Sequence, residues 1–470
     1  MRQQISIVFV LAAALALSLP TLAEPERVSL MVRGGQVVTM NDTAEVIDDG
    51  IVVIDGSRII AVGGTELAEH YIPDETIDAE GGIVMPGMIN LHNHLPMIAF
   101  RGLGEGGVRN RLYDFFFPLE KALLDRKLIR VAARQAAIES VVAGVTTVAD
   151  MYYHEDEVAL SVREVGLRGV LGQTIIGFPV VDAETPEEGL AYAERFIKRF
   201  KGDPLITPAV APHAPYTVAP ELLRASRELA DRHDVPILMH VAETRDEKAK
   251  TMAAFDGVPP DLSVIEYLER AGILVDRLVA AHVIHVDDTD MALMQRHDVG
   301  IGHNPISNTK GMSGLAPAWE MYQLDLPIGL GTDGPMSSNQ IDMLGPLRQA
   351  AIVARIRGYD TTRFTPFELV RMVTVGGARA LDMEDQLGSI EPGKLADLVV
   401  LDTSRPNMTP VYDPYAAIVF QAYPGDVALT IVNGEVVARD AIATKVDYAA
   451  HDESWRGLTE RVRKFAEEEL

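Results

Sequence analysis

The pattern of apolar and polar positions changes character near residue 80. Between Val28 and Ala68, short apolar runs alternate with turn-forming dipeptides such as Asp49-Gly50 and Asp55-Gly56. This pattern is typical of short strands joined by turns. Four strands are expected in this part of the chain: Leu30–Arg33, Gly35–Thr39, Gly50–Ile54 and Arg58–Val62. The segment therefore predicts a small β-domain rather than a βα unit.

After Gly81, apolar strand candidates alternate with helical patterns, which predicts a parallel sheet. Eight strands are expected: Ile83–Leu91, Val145–Ala149, Gly169–Thr174, Leu205–Ala211, Pro236–Met239, Leu278–Ala281, Val299–Ile301 and Pro327–Leu330. The helical patterns between them include Glu120–Val142, Glu187–Lys201, Pro220–Asp231 and Leu262–Ala271. Eight such units fit a closed (β/α)8 barrel. An open doubly wound sheet is the alternative, but no glycine-rich phosphate fingerprint opens any of these helices.

The C-terminal part of the chain returns to strands after two further helices. The helices are expected at Ile341–Arg357 and Pro366–Leu381, the strands at Ala396–Leu401 and Val427–Val437, and a closing helix from about Glu453 to Glu468. Asn433-Gly434 is the signal for a hairpin turn. The expected fold is α/β, with a (β/α)8 TIM barrel at 81–385 inserted into a small β-sandwich domain. That domain is built from both chain ends, 24–80 and 386–470, and the second part includes the C-terminal helix.

The composition limits the classes of partner. The 470 residues are 47% hydrophobic and 23% charged, which is ordinary for a globular protein and long enough for a barrel and a smaller domain. The formal net charge of −26 argues against a nucleic-acid partner and against binding to a membrane surface, because both need clustered Lys and Arg. The chain has no Cys, so any metal site must use His and carboxylates. The composition leaves the oligomeric state open, and a homo-oligomer is one possibility.

The first 23 residues have the pattern of a signal peptide. Arg2 supplies a positive n-region, Ile5–Leu19 is an uncharged apolar stretch, and Pro20-Thr21-Leu22-Ala23 ends in small residues at positions −3 and −1 of a cleavage site. A transmembrane anchor is the alternative, but the run is short for a bilayer and no basic flank follows it. We expect cleavage after Ala23 and export to the periplasm, without stable membrane association.

Histidines are concentrated where the barrel strands are expected to end, which is where a parallel barrel gathers its functional groups. His92 and His94 are two residues apart on one strand, so they share a face and can each give a nitrogen to one divalent ion. Taken alone, the pair also fits an extended strand with two surface histidines. Six of the twelve histidines, and one aspartate, stand at these strand ends: His92, His94, His213, His240, His282, His303 and Asp333. Chance placement does not account for that concentration.

This set of motifs resembles the amidohydrolase superfamily, specifically its aromatic-ring deaminase branch. The resemblance covers nearly the whole chain after the signal segment, including Gly388–Leu398 in the β-domain. The nearest pattern is that of the 5-methylthioadenosine/S-adenosylhomocysteine deaminases, with Leu95-Pro96-Met97 after the histidine pair and His303–Asn308 later. The resemblance implies a hydrolytic deaminase of an adenosine-type nucleoside or a related purine, which releases ammonia. The alternative is action on a guanine, pterin, cytosine or triazine ring, including halide displacement.

The resemblance also implies one divalent metal ion held by His92, His94, His240 and Asp333. Three imidazoles and one carboxylate are the donor composition of a catalytic site. Zinc fits this set best, although iron(II) would accept the same ligands. The binuclear hydrolases of the superfamily carboxylate a Lys on the fourth strand. The third and fourth strands expected here contain no Lys, so a single ion is expected.

By the same resemblance, Glu243 carries a proton at the substrate ring, while His282 and Asp333 help to deprotonate water. Glu243 follows His240 by three residues, so both can reach one site only if the strand ends at His240 and the chain turns. A carboxylate that accepts and returns a proton is what a deamination needs beside a divalent ion. The alternative is a surface glutamate that caps a helix over Thr244–Ala254.

Four residues are candidates for binding the substrate by resemblance: His213, Glu120, Gln173 and Asn304. His213 would contact the ring or its substituent, and Glu120 would match a ribose-binding glutamate, although it could equally be an N-terminal helix charge. Two departures from the family concern the substrate. The stretch Arg109–Asp114 replaces a Trp-Leu pair, and Gln173 stands where the family has an Arg. Loss of that fixed guanidinium weakens the case for an anionic amino-acid tail on the substrate.

Two readings from other classes of protein or reaction remain. The chain could be a periplasmic binding protein that has kept the scaffold and lost catalysis, but all four metal ligands and both proton carriers are present. It could also be a lactonase or amidase that acts on a non-aromatic ring, because a fold does not determine a chemistry.

Overall fold

The computed structural model describes residues 25–107 and 111–469 of the chain, in which the strands form two sheets. In chain order the strands are β1 (Glu26–Val38), β2 (Val46–Asp55), β3 (Arg58–Gly63), β4 (Tyr71–Asp78), β5 (Ile83–Pro86), β6 (Met88–Asn93), β7 (Val145–Tyr152), β8 (Arg168–Ile175), β9 (Ile206–Pro212), β10 (Ile237–Val241), β11 (Leu278–His282), β12 (Gly300–His303), β13 (Ile328–Leu330), β14 (Leu398–Leu401), β15 (Val427–Val432), β16 (Glu435–Arg439) and β17 (Ile442–Ala443).

The helices lie mainly between the strands β6 to β13 in chain order. They are α1 (Phe117–Leu123), α2 (Arg126–Val142), α3 (Glu155–Val165), α4 (Pro186–Phe200), α5 (Pro220–His233), α6 (Glu247–Ala254), α7 (Val264–Ala271), α8 (Asp288–Arg296), α9 (Pro305–Lys310), α10 (Ala318–Gln323), α11 (Leu344–Gly358), α12 (Pro366–Arg371), α13 (Gly377–Ala380), α14 (Pro414–Ala416) and α15 (Tyr448–Glu469). Short 3-10 or π turns add Thr65–Glu69, Leu95–Phe100, Leu112–Phe116, Met372–Gly376, Ala417–Gln421 and Pro424–Asp426.

Strands β6 to β13 form an eight-stranded parallel sheet in sequential order. Its two ends meet, because the backbone N–H of Asp333 donates to the carbonyl of His92 at 2.9 Å. Buried polar side chains support this seam, since the Nδ2 atoms of Asn90 and Asn93 both donate to Thr332 Oγ1, at 2.8 and 2.9 Å. The expected barrel is therefore confirmed, and its closing seam lies directly beside the histidine pair.

The other sheet contains nine strands taken from both ends of the described chain. Strand β1 pairs with β2 on one side, both before and after Gly35, and on its other side pairs first with β4 and then, from Gln36, with β5, so it links both halves of the sheet. Val32 and Val52 from one half share a hydrophobic cluster with Val400 and Leu429 from the other. The β-domain predicted from both chain ends is thus observed, and β4 is a strand that the sequence pattern did not reveal.

The expected strand Ile83–Leu91 is wrong as a single element, because it is divided between the two sheets. Its first part is β5, which pairs with β1 and β14 of the β-domain, and its second part is β6, the first barrel strand. Gly87 separates them where the chain passes against Thr146. A Cβ at Gly87 would lie 2.0 Å from Thr146 Oγ1, so only glycine fits this crossing between the sheets.

The expected helix Glu120–Val142 is also divided, into α1 and α2. Asp125 begins α2 as its N-cap, where its carboxylate accepts from the backbone N–H of Leu128 at 2.7 Å. The hairpin at Asn433-Gly434 is confirmed, with φ of 55° and 78° at its two residues, the left-handed geometry that such a turn requires.

A buried ion pair joins the barrel to the β-domain. Arg168 at the start of β8 binds Asp397 in two places, Nε to Oδ2 at 2.9 Å and Nη2 to Oδ1 at 3.0 Å. Within the described ranges, no helix has the length and apolar character needed to cross a membrane. The predicted signal peptide, residues 1–23, lies outside the described residues and stays a prediction.

Candidate metal and catalytic site

Three histidines and an aspartate converge at the carboxyl ends of the barrel strands. His92 and His94 come from the end of β6, His240 from β10, and Asp333 from the loop after β13. The Nε2 atoms of His92 and His94 lie 3.5 and 3.4 Å from Asp333 Oδ1. His240 Nε2 lies 3.2 Å from His94 Nε2. The four proposed ligands, which come from three separate segments of the sequence, therefore present their donor atoms to one point.

Backbone carbonyls set the orientation of two of these imidazoles. His94 Nδ1 lies 2.6 Å from the carbonyl oxygen of Met151, and His240 Nδ1 lies 2.8 Å from that of His213. A carbonyl can only accept, so each Nδ1 carries the proton and each Nε2 turns its lone pair towards the cluster. His92 Nε2 is buried and has no hydrogen-bond partner among the residues that the structure describes. This donor set fits a divalent cation, which would satisfy the lone pairs that the protein leaves free.

Burial keeps these imidazoles neutral, the form in which they bind metals. It lowers the pKa of His92 to about 3 and also lowers the pKa values of His94 and His240. For Asp333, burial alone would raise the pKa, but the contact with His92 and the surrounding imidazoles hold that pKa well below the usual range. Three neutral imidazoles and one carboxylate are therefore ready as ligands.

Glu243 reaches the same site because the chain turns sharply after β10. Ala242, directly before it, has a φ of 51°, an uncommon conformation for a residue other than glycine. On a continuing strand, Glu243 would point to the opposite face from His240. The turn removes this alternation, so both side chains reach the same site, as the three-residue spacing required. Glu243 Oε2 lies 3.9 Å from His282 Nε2, and Glu243 Oε1 lies 3.3 Å from Ser313 Oγ. The glutamate thus faces the cluster, and the first turn of α6 begins after Asp246.

His282 ends β11 and is held next to the same group. Its Nδ1 lies 2.8 Å from Asn308 Oδ1, which leaves Nε2 directed at the cluster. Nitrogen atoms of His92, His240 and His282 also lie within 4.8 Å of one another. Burial lowers the pKa of His282, but the carboxylates of Glu243 and Asp333 and the contact with Asn308 outweigh it, so that pKa is raised above its ordinary value. His282 is therefore the imidazole of the group best suited to take up a proton.

The cluster forms the floor of a cavity of about 510 Å³. Aromatic side chains form much of its wall: Phe116, Phe117, Tyr152, Tyr153 and Tyr216. Polar and charged side chains that are only partly buried or are exposed also line it, and we call this set the opening: Arg111, Tyr113, Thr244, Asp246, Lys250 and Ser337. A few polar groups in a largely aromatic enclosure are typical of a site for a flat, partly polar small molecule.

Two of the predicted substrate-binding residues line this cavity. His213 is half-buried between the cluster and the wall, with its Nδ1 2.9 Å from Thr217 Oγ1, and burial lowers the pKa of its imidazole to about 3. Glu120 is buried, and its Oε1 accepts from the hydroxyl of Tyr152 at 2.5 Å. Burial raises the pKa of Glu120 to about 7. Both residues are placed where a ligand above the cluster could touch them.

The structure does not bring the other two, Gln173 and Asn304, to the cavity. Gln173 is fully buried behind the wall, where its Nε2 donates to Asp182 and its Oε1 accepts from the backbone N–H of Glu155. Asn304 is buried beneath His282, with its Nδ2 3.3 Å from His282 Nδ1. The Gln173 amide is used within the protein, and Asn304 packs under His282 outside the cavity lining, so neither residue is placed for direct contact with a ligand.

Several residues of the site were not identified from the sequence. Tyr152 binds Glu120, Asn308 supports His282, and Ser313 contacts Glu243. Glu247 accepts hydrogen bonds from the turn that carries Glu243. Only Glu247 left a signal in the sequence, a second glutamate four residues after the first, and that spacing is also common on exposed helices.

The sequence matches a family model described as the amidohydrolase family over residues 83–437. That range includes all eight barrel strands and strands of the β-domain on both sides.

Relatives match almost the whole chain. It is 33% identical over 445 residues to the 5-methylthioadenosine/S-adenosylhomocysteine deaminase 1 of Syntrophus aciditrophicus (strain SB), covering 94% of this chain and 99% of the relative. It is 37% identical over 422 residues to the 5'-deoxyadenosine deaminase of Methanopyrus kandleri, covering 89% and 95%. An adenosine deaminase from Xanthomonas campestris, solved with bound zinc, aligns with a TM-score of 0.90 at 32% identity, covering 94% of this chain and 100% of that one.

Proposed function

The chain belongs to the amidohydrolase family, and on that premise we propose that it is a metal-dependent hydrolytic deaminase of an adenosine-type nucleoside or a related purine. One observation carries the proposal: a carboxylate, Glu243, and an imidazole with a raised pKa, His282, stand together at a buried cluster of metal-type ligands on a cavity floor. A hydrolytic deamination needs both of these groups, one to supply protons and one to accept them.

The proposed cofactor is one divalent ion held by His92, His94, His240 and Asp333. Zinc is preferred because the donor set suits it and because the similar adenosine deaminase from Xanthomonas campestris was solved with zinc. Iron(II) would accept the same four ligands. When bound, such an ion supplies Lewis acidity, which lowers the pKa of water towards neutrality.

The protein groups then divide the proton transfers between them. His282, next to Asp333, accepts the proton of the attacking water, and Glu243 donates a proton to a ring nitrogen of the substrate. A carbon–oxygen bond forms at the amino-bearing carbon, and Glu243 then passes the second proton of the water to the amino group. The carbon–nitrogen bond breaks, ammonia leaves, and the proton held by His282 returns to Glu243. Glu243 can make both transfers because it lies on the floor of the cavity, within 3.9 Å of His282.

The bound purine would lie between the floor and the aromatic wall. His213 offers a neutral ring nitrogen to the purine or its substituent, and Glu120 offers an acceptor to a ribose hydroxyl. Tyr152 holds the Glu120 carboxyl in place. Gln173 would not take part in this recognition, because its amide is directed to Asp182.

The proposal is tested by assaying zinc-loaded protein for ammonia release on a panel of adenosines, guanines, pterins and cytosines. We expect the highest kcat/KM on an adenosine derivative. A chlorinated triazine in the same panel, assayed for chloride, separates deamination from halide displacement. Release of chloride but not ammonia, or turnover of another ring class with none on adenosines, would contradict the proposed substrate.

A further inference from the structure

Glu247, the first residue of α6, holds the turn that carries Glu243. We propose that Glu247 is a positioning residue for the proton transfers, which fixes Glu243 over the cavity floor without touching the substrate. The inference rests on the proposed function, in which Glu243 carries the proton. Glu247 is 1% exposed and does not line the cavity, so any effect of it on turnover must pass through its neighbours.

The carboxylate of Glu247 binds two successive peptide groups of the turn. Its Oε1 accepts from the backbone N–H of Ala242 at 2.7 Å, and its Oε2 accepts from that of Glu243 at 2.8 Å. On the other side of the turn, the carbonyl of Ala242 accepts from the N–H groups of Ile284 and His285, both at 3.0 Å. The turn is therefore held from both sides. On one side the contacts come from the side chain of Glu247, and on the other side they come from the backbone.

The turn needs such support because its backbone is in an uncommon conformation. Ala242 has a φ of 51°, which costs free energy for an L-residue with a Cβ and persists only where surrounding contacts enforce it. The same turn points the two N–H groups into the protein, where an unpaired donor would be costly. One carboxylate with two oxygens pairs both donors at once.

The burial of Glu247 is otherwise expensive. Burial opposes its ionisation, and the nearby carboxylate of Glu243 opposes it further, whereas the backbone N–H groups of the turn favour the charged form. A glutamate whose task was to place negative charge at the start of α6 could do so from the surface. The two peptide groups that Glu247 binds explain why its carboxylate is buried next to that of Glu243.

Glu243 depends on this backbone support because its side chain has few contacts of its own. Its carboxylate lies 3.3 Å from Ser313 Oγ and 3.9 Å from His282 Nε2, and neither contact is a strong hydrogen bond. The position of its backbone therefore decides how far the carboxylate reaches. A displacement of about 1 Å in a reacting group can reduce turnover about 100-fold.

The test is the isosteric substitution Glu247→Gln. The amide keeps one acceptor oxygen but turns its NH2 towards the other backbone N–H, so one peptide of the turn is released. We expect kcat to fall about 10- to 100-fold while KM and zinc content stay within about 2-fold of the wild type. Glu221→Gln is the matched control, because Glu221 is an exposed glutamate in the first turn of α5, and we expect no change there.

A double-mutant cycle separates positioning from general structural damage. If Glu247 acts through Glu243, then Glu247→Gln should cost little in a Glu243→Gln background, because the group being positioned is already inactive. Equal losses in both backgrounds, or a Glu247→Gln enzyme with wild-type kcat, would overturn the inference. If Glu247→Gln does not fold, Glu247→Asp, with both acceptors one methylene short, replaces it with the same expected direction.

Amide hydrogen exchange provides a readout that does not depend on the substrate. We expect Glu247→Gln to increase exchange at Ala242 and Glu243 while exchange in β9 and β11 stays unchanged. Suppose that Glu247→Gln increases exchange at Ala242 and Glu243, but the wild-type protein deaminates none of the substrates tested. The support of the turn by Glu247 would then be confirmed, and only the proposed function would be contradicted. Unchanged exchange at both amides would overturn the inference whatever the enzyme's activity.

Discussion

The floor and the opening of the cavity are built in different ways. On the floor, His94, His240 and Asp333 are each at most 7% exposed, and each lies in a barrel strand or within three residues after one. At the opening, Tyr113 is 41% exposed and Lys250 forms an ion pair with Asp246 at 3.0 Å. The floor is thus fixed by the sheet, whereas the opening is formed by loops and by the first turns of helices.

This difference separates chemistry from selectivity. Strand ends hold their side chains within narrow limits, as a reacting centre requires. Loops vary with little effect on the sheet below them, so they can change which molecule is admitted. We therefore expect substitutions on the floor to abolish or strongly reduce kcat, and substitutions in the wall and opening to change mainly KM.

The largest effect is expected from removing a proposed metal ligand. His92→Ala should lower the bound zinc well below one equivalent and reduce turnover more than about 1,000-fold, equivalent to about 4 kcal/mol at the transition state. Metal analysis and an ammonia assay on the same preparation measure both quantities. His70→Ala, at an exposed histidine in the β-domain, is the control. A His92→Ala protein with full zinc content and turnover would refute the assignment of the floor.

The next largest effect is expected at Glu243. Glu243→Gln keeps the size of the side chain but cannot exchange a proton, so kcat should fall about 100- to 10,000-fold. Zinc content should stay unchanged, because Glu243 is not one of the four proposed ligands. This combination distinguishes a floor residue that moves protons from one that binds metal. An active, metal-loaded Glu243→Gln enzyme would exclude the role proposed for this glutamate.

The floor is also the part of the site that could be predicted from the sequence. His92, His240 and Asp333 were found because strand ends are readable from apolar periodicity, and a parallel barrel brings those ends together. The barrel order and the two-ended β-domain followed from the same pattern. The division of Ile83–Leu91 between two sheets was not readable, because both parts are equally apolar and only packing at Gly87 separates them.

The residues that support the groups of the site could not be predicted either, and the physical reason is a different one. Tyr152, Ser313 and Glu247 each act through one or two specific hydrogen bonds, and such contacts leave no periodic trace in one sequence. Gln173 was expected at the ligand because it stands where the family that the chain resembles has an arginine. Its side chain instead points to the helix-side layer, where it binds Asp182, and strand position alone does not decide between the two directions.

The smallest effect, and the one that best separates wall from floor, concerns Glu120. Burial raises its pKa to about 7, so it is protonated at pH 6 and ionised at pH 8. A carboxylate accepts a hydrogen bond from a ribose hydroxyl more strongly than a neutral carboxyl group does, by about 1 kcal/mol. KM for an adenosine nucleoside should therefore fall about 5-fold as the pH rises from about 6 to about 8, in addition to any pH dependence of kcat.

Two variants test whether Glu120 is the source of that change. Glu120→Gln cannot ionise, so its KM should stay near the high, acidic value at every pH. Tyr152→Phe removes a hydroxyl that favours the charged form, so the fall in KM should move to higher pH. If Glu120→Gln keeps the wild-type dependence of KM on pH, the titrating group lies on the floor, and Glu120 does not bind the ribose.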